Sequence, residues 1–232
     1  VYKRQELFHA DGKLEYGYWQ YPNVVTALEF ERILSASGPY EGHVLRPSDN
    51  TPPRKIAFVQ CVGSREERRD YCSSICCMYA TKEAIIAKEH AGDELECHVF
   101  YMDMRAFGKG FEEYYERAKE LGVKYIRCRP SSIEGVEGGN LRICYVAEDG
   151  KVNAEEYDMV VLSVGLQPPE SVRRLARSLG IGLTGEGFCR TDPFKPLESD
   201  REGVFVCGPF TGPKDIPETV MQASGAASEV LG

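Results

Sequence analysis

The sequence predicts an α/β fold with a largely parallel sheet, and three observations carry that expectation. Apolar runs of strand length alternate with stretches of helical periodicity. The positions Phe111, Tyr114, Tyr115, Ala118 and Leu121 follow i, i+3, i+4, i+7 spacing, with Gly122 where a helix C-cap is expected. Finally, 232 residues at 42% hydrophobic and 28% charged can bury a sizeable core, as one large domain or two small ones.

Taken in order, a helix is expected from about Asn23 to Ser35. The turn-rich "SGPYEGHVLRPSDNTPP" then reads as an interdomain crossing. "RKIAFVQ" (Arg54 to Gln60) reads as a buried strand, and the segment from Cys76 to about Lys88 places Cys77, Ala80, Ala84 and Ala87 on one helical face. "LECHVFYM" is the next strand, followed by the helix ending near Gly122, strands "VKYIRC" and "LRICYV", and the apolar run "DMVVLSVG". A helix near Ser171 to Leu179, a short strand "GVFVC" and a final helix from about Ile216 complete the chain. The expected organisation is a βαβαβ unit over residues 54–157, inserted in a domain made of residues 1–53 and 158–232. No internal repeat or low-complexity tract is visible.

A net charge of -8, with Lys and Arg interspersed among acids, argues against a nucleic-acid partner. There is no run of eighteen apolar residues and no apolar segment of signal-peptide type near the start, so a cytoplasmic location is expected. The chain opens on Val1 rather than Met and is read as a fragment, whose "VYKRQ" need not be native. Nine cysteines in a chain of this length point to reduced thiols, some with metal or redox chemistry.

Four of those cysteines fall within "CVGSREERRDYCSSICC", at spacing C-x10-C-x3-C-C. Structural zinc usually takes two C-x2-4-C pairs on separate turns, and adjacent Cys76 and Cys77 make no such pair. A disulfide between neighbours is a strained ring, and the usual redox pair is C-x-x-C. An iron-sulfur cluster fits best, because a cubane is larger than one ion and soft thiolates match it; zinc, disulfide chemistry and unligated thiols stay open. The remaining Cys97, Cys128, Cys144, Cys189 and Cys207 lie mostly in apolar strands and read as buried, inert thiols. After "RKIAFVQ" a nicotinamide site needs G-x-G-x-x-G, and the cysteine-bearing turn stands there instead, so NAD or NADP binding by this unit is not expected.

The blocks "AFVQCVGSREERRDYCSSICCMYATKEA", "FYMDMRAFGKGFEEYYERA" and "GVFVCGPFTGPKDIPETVMQASGAAS" resemble the A-type subunit of heterodisulfide reductase and its relatives in sulfate-reducer membrane-linked oxidoreductase complexes. The resemblance runs from about Phe8 to the C-terminus. It implies a thioredoxin-reductase-like FAD domain interrupted by an inserted Rossmann-like unit, with electron transfer as the activity, in many members by flavin-based bifurcation. It implies Cys61, Cys72, Cys76 and Cys77 as ligands of a 4Fe-4S cluster. The implied partners are other subunits of such a complex and ferredoxin, hydrogenase or dehydrogenase electron donors. The parent protein is implied to be a homodimer, with any attachment to a membrane complex made through its partners.

The same resemblance makes the C-terminal piece the closing element of an FAD site whose first glycine-rich turn precedes this segment. Gly165, Gly208, Pro209, Asp215, Ile216 and Pro217 are the implied flavin contacts. Pro217 suits the first position of the final helix and Asp215 its cap, and the positive end of that helix would favour an anionic reduced flavin. Pro209 stands where many flavoproteins of this class have an acidic residue. Lys82 is the candidate functional cation, reaching toward the flavin N5 region. Arg105 and Lys109 are candidate electrostatic partners of another polypeptide or of the cluster. The alternative function is a non-catalytic scaffold whose cysteines hold structural zinc or a structural cluster.

Overall fold

The computed structural model describes residues 6–231; the opening Val1–Gln5, and the expectation about its origin, fall outside the described residues. The strands are β1 (Glu6–Leu7), β2 (Val24–Thr26), β3 (Lys55–Val62), β4 (Glu96–Tyr101), β5 (Lys124–Arg127), β6 (Ser132–Gly135), β7 (Leu141–Val146), β8 (Val152–Tyr157), β9 (Met159–Val164), β10 (Leu166–Gln167), β11 (Thr191–Asp192) and β12 (Lys195–Ser199). The helices are α1 (Ala27–Leu34), α2 (Cys76–Ala91), α3 (Phe111–Glu120), α4 (Ser171–Leu179) and α5 (Ile216–Leu231). The chain divides into two compact units, one of His9–Gly63 with Cys76–Val164, the other drawn from residues 6–8, Ser64–Ile75 and residues 165–231.

The first unit is built on a five-stranded parallel sheet in the order β2-β9-β3-β4-β5. Its central strands are apolar on both faces, as parallel strands covered on two sides must be. Ile56, Ala57, Phe58 and Val59 of β3, and Met159 through Leu162 of β9, are fully buried. Ile56, Phe58, Val99, Met159 and Val161 meet Phe30 and Ile33 of α1, Ala80, Ala84 and Ala87 of α2, and Ala118 of α3. Alanines on the α2 face let that helix lie close to the sheet. The alternate residues point to the opposite face, where Phe100 of β4 meets Tyr145 of β7 and Tyr157 of β8 edge-on. There the antiparallel sheet β6-β7-β8 forms the third layer.

The βαβαβ succession β3-α2-β4-α3-β5 is as expected, but the expected boundaries at residues 53/54 and 157/158 differ from the units observed. β9 lies between β2 and β3 in one ladder, so residues 24–26 and 159–164 belong with the supposed insertion. The turn-rich stretch is likewise fixed within this unit. Buried Asn23 bonds Ser48 and the Gly139 carbonyl, and Arg46 bonds the Gly138 carbonyl (2.8 Å) and Asn140 (3.0 Å). Asp158 Oδ2 accepts from the backbone N–H groups of Arg54 and Lys55. The first helix begins at Ala27 because Thr26 and Glu29 form a reciprocal capping box, while Val24 to Thr26 pair with β9.

In the second unit β1 pairs antiparallel with β10, and Val172, Ala176, Ile181, Cys189, Val206 and Phe210 form a core beneath α4. The expected strand "GVFVC" is reduced to a single bridge, Phe205 to Glu198, with Val206 N–H bonding the Leu197 carbonyl.

A half-buried polar cluster joins the layers of the first unit. Tyr145 (2.6 Å), Lys55 (2.9 Å) and Tyr157 (3.0 Å) all donate to the Glu155 carboxylate, and His98 Nδ1 lies 2.9 Å from the Tyr157 hydroxyl. Burial alone would raise the Glu155 pKa, but those donors outweigh it and hold it at about 2. Burial first, and then the Lys55 charge, lower the pKa of His98. Both folded values lie below their ordinary ones. Their stabilisation is therefore present above about pH 6.5 for His98 and above 4.5 for Glu155, and is lost as pH falls through the depressed values. The urea midpoint should fall as pH drops from 4.5 to 3, and Glu155→Gln should flatten that fall; an unchanged profile would remove this cluster from the account.

Candidate functional site

In the first unit, Cys61 lies near the end of β3, and Cys76 and Cys77 open α2. Register shifts between Val59 and Val62, and Cys61 takes a left-handed conformation (φ 61°), so the strand turns as its thiol is delivered. Gly63 follows at φ 75°. Cys76 and Cys77 are the first two residues of α2, where helical N–H groups lack intrahelical partners and the dipole favours a thiolate. No acidic residue shares that first turn. All three cysteines are buried.

Tyr79, one half-turn beyond Cys77, donates to the Val164 carbonyl (2.9 Å). Its pKa is raised well above the ordinary value by burial, then by the charges of Cys76, Glu83 and Cys61. Cys77 Sγ lies 3.7 Å from the Asp103 carbonyl in the loop after β4, where Arg105 pairs with the Asp103 carboxylate at 3.2 Å to each oxygen.

Cys72 belongs to the Ser64–Ile75 segment of the second unit. Its Sγ accepts from Ser74 N–H (3.3 Å), with Ser74 left-handed at φ 63°. The segment is fixed by the Tyr71 hydroxyl on the Leu166 carbonyl (2.8 Å) and by Ser73 Oγ accepting from Leu166 N–H (2.9 Å). Among the described residues no group of three or more His, Cys, Asp or Glu side chains is gathered tightly enough for a single metal ion. Soft, buried thiols at a strand end and a helix start are the donors an iron-sulfur cluster uses.

Of the other five cysteines, Cys97 and Cys189 are buried as expected, whereas Cys128, Cys144 and Cys207 are only half-buried. Burial pushes Cys97 up to about 12, and Cys128 and Cys189 up to about 11.

The predicted flavin contacts lie in the second unit, apart from Lys82. A Cβ on Gly165 would come within 2.5 Å of Ser73 Oγ, so packing alone requires glycine there. Gly208 is left-handed (φ 62°), its N–H already bonded to Gln222 Oε1 (2.8 Å), and Pro209 sits in the short turn Gly208–Phe210. Asp215 caps α5: Glu218 N–H donates to Asp215 Oδ1 (2.7 Å) and Asp215 N–H to Glu218 Oε2 (3.1 Å). That cap puts Ile216 first and Pro217 second, one position later than expected. The missing N–H of proline still costs no bond, since the second helical N–H is also without an intrahelical partner. Ile216 is 80% exposed, and no described residue of α5 is buried.

Lys82 lies in the first unit, its ammonium 2.6 Å from Glu31 of α1. With Leu28, Leu34 and Ile86 the pair lines an open groove of about 640 Å³ along the seam of α1 and α2. Beside it stands a residue that the sequence did not single out. Glu83 is buried, its Oε2 has no hydrogen-bond partner, and desolvation raises its pKa to about 9, so it is protonated at neutral pH. Helical spacing could have found it, since Glu83 falls on the same face as the expected inward stripe of Ala80, Ala84 and Ala87.

Residues 82–227 match the sequence profile of the pyridine nucleotide-disulphide oxidoreductases. The chain belongs to that family. The matched span starts within α2, so the four clustered cysteines precede it. Within the family, the chain is 47% identical over 224 residues to the A-type subunit of the H(2):CoB-CoM heterodisulfide,ferredoxin reductase of Methanothermobacter marburgensis, covering 93% of this chain and 34% of that protein. It is 47% identical over 232 residues to the A-type iron-sulfur subunit of the CoB--CoM heterodisulfide reductase of Methanocaldococcus jannaschii, covering 96% and 35%. A protein of Archaeoglobus profundus described as similar to the same heterodisulfide reductase subunit is 41% identical over 234 residues, covering 90% and 33%. The chain thus spans about a third of the length of these relatives, and the resemblance read from its three sequence blocks is borne out.

Two measurements check the local energetics. Above its ordinary value of 4.5 Glu83 must take up a proton on folding, so its effect is a burden that begins there and grows until pH reaches about 9. At pH 7 this amounts to about 3 kcal/mol. Glu83→Gln should therefore be more stable than the parent in urea at pH 8, with the difference shrinking toward pH 4. For the cap, Asp215→Ala should cost about 1 kcal/mol and Asp215→Asn much less; equal losses would mean that the side-chain bond to Glu218 N–H contributes nothing.

Proposed function

We propose that this chain is part of the electron-transfer subunit of a heterodisulfide reductase-like complex, relaying electrons between FAD and iron-sulfur clusters. The observation that supports it most is the replacement of a phosphate-binding glycine turn, at the end of β3, by buried Cys61 and the adjacent pair Cys76 and Cys77. A nucleotide-binding turn would bring bare backbone against a pyrophosphate. This one brings thiols to the same end of the strand.

With Cys72 these make the proposed ligand set of a 4Fe-4S cluster, which supplies one-electron steps when bound. The chain's own part is to supply four thiolates, to keep water from the buried three, and to place the positive end of α2 behind two of them. For the flavin, the chain offers the capped N-terminus of α5 and, in the first unit, the Lys82 cation at the edge of its groove. An ammonium there would favour negative charge on a reduced ring. The proposed partners are the other subunits of such a complex and a ferredoxin, hydrogenase or dehydrogenase donor, with bifurcation the proposed mode of the whole protein and the cytoplasm its location.

Anaerobic reconstitution should give a brown protein with about four irons per chain. Serine at Cys61, Cys72, Cys76 or Cys77 should each degrade the cluster, whereas Cys144→Ser should leave iron content and absorbance unchanged. Stoichiometric zinc without visible absorbance would overturn the assignment.

A further inference from the structure

The interior of the first unit contains a side chain whose polar atoms are wholly unused. Gln60 is 3% exposed, and neither its amide nitrogen nor its amide oxygen has a hydrogen-bond partner. Among the described residues no other buried side chain has two such atoms. An unpaired buried carboxamide is costly, whereas an apolar side chain of similar size carries no such cost. Ile56 to Val59, which precede it in β3, are buried and apolar, so the strand itself does not call for an amide here.

Placement narrows what the amide serves. Ile56 and Phe58 pack with Ala80, Ala84 and Ala87 of α2, and the period-two alternation of a strand puts Gln60 on the same face of the sheet. The helix covering that face begins with Cys76 and Cys77, and Cys61 follows Gln60 directly. Gln60 thus adjoins one proposed ligand in the chain and lies on the face covered by the helix that carries two others. Its N–H groups can bond thiolate or sulfide sulfur, and soft sulfur acceptors are what these three residues bring. Two other polar side chains share this face, Ser163 of β9 and Glu83 of α2. Glu83 Oε2 and Ser163 Oγ likewise have no hydrogen-bond partner, although Ser163 stands close enough to the Tyr79 hydroxyl to offset part of the rise in its pKa.

We propose that the Gln60 carboxamide donates an N–H to the sulfur centre held by Cys61, Cys72, Cys76 and Cys77 and thereby raises its reduction potential. This rests on the iron-sulfur reading above. Reduction adds one negative charge to the centre, and a donor aimed at its sulfurs stabilises that charge. Gln60 acts on the potential and is not itself a ligand.

The test compares the full chain with Gln60→Leu after anaerobic reconstitution. The variant should keep about four irons. Its potential should lie lower by roughly 59 mV, the equivalent of about a tenfold change in a one-electron equilibrium. The shift that D2O produces in the iron-sulfur stretching bands should be smaller in the variant. Without metal, the variant should be at least as stable in urea as the parent, because no hydrogen bond is lost. Gln60→Met, closer in shape, carries the same expectations if the leucine variant does not load. A parent that binds no iron overturns the iron-sulfur reading and this inference with it. Four irons in parent and variant with the same potential overturn this inference alone. So does a metal-free variant less stable than the parent, since Gln60 would then serve Ser163, Glu83 or packing.

Discussion

The structure depends on β3 and β9 being buried on both faces at once. A parallel strand in the middle of a sheet exposes neither edge nor face, so its backbone groups must all be paired within the ladder and its side chains must all be apolar. β9 comes close to both demands, with every residue from Met159 to Val164 buried, Ser163 alone polar, and partner strands on either side. Three helices and one antiparallel sheet are then required simply to cover the two apolar faces. The ends of these strands are also where the chain leaves the ladder and where unusual torsions become tolerable, which is how Cys61 can sit left-handed beside a well-packed core.

Much of this is legible in the sequence because periodicity is local. β3, α2, β4, α3 and α4 lie where the apolar spacing places them. What local pattern cannot show is partnership between distant segments. "DMVVLSVG" reads as an apolar strand, but nothing within it says that it inserts between residues 24–26 and β3, and the boundary expected from pattern falls in the wrong place for that reason. The prolines and glycines before Arg54 mislead in the same way. Turn chemistry marks where the chain bends, whereas the bonds of Asn23, Arg46 and Asp158 decide which unit holds the bend.

For the site, residue type is more informative than position. The density of cysteines and the absence of a glycine turn after β3 are visible in the sequence, and the structure adds that Cys61 lies near the end of β3 and that Cys76 and Cys77 open α2. The environment of each group is not visible. Lys82 reads as a cation for the flavin, and only the structure shows Glu31 2.6 Å away on another helix; Glu83 shares the face of the inward alanines, but that its carboxyl is buried with an oxygen lacking a hydrogen-bond partner is seen only in the structure. Gly165 and Gly208 read as ligand contacts, and both are also required by close neighbours within the protein, Ser73 and Thr219.

The division of the chain into units that exchange segments has a consequence for synthesis. Residues 64–75 leave the first unit between β3 and α2, and the polypeptide returns to complete the parallel sheet only with β9. As the chain emerges from a ribosome, β3 and β4 are made long before the strand that closes the open side of β3, and an unpaired apolar edge invites wrong pairing. The first unit therefore cannot mature segment by segment. Its sheet stays incomplete until Val164 has been made, which places the hazard of misassembly in the stretch of translation between β3 and β9.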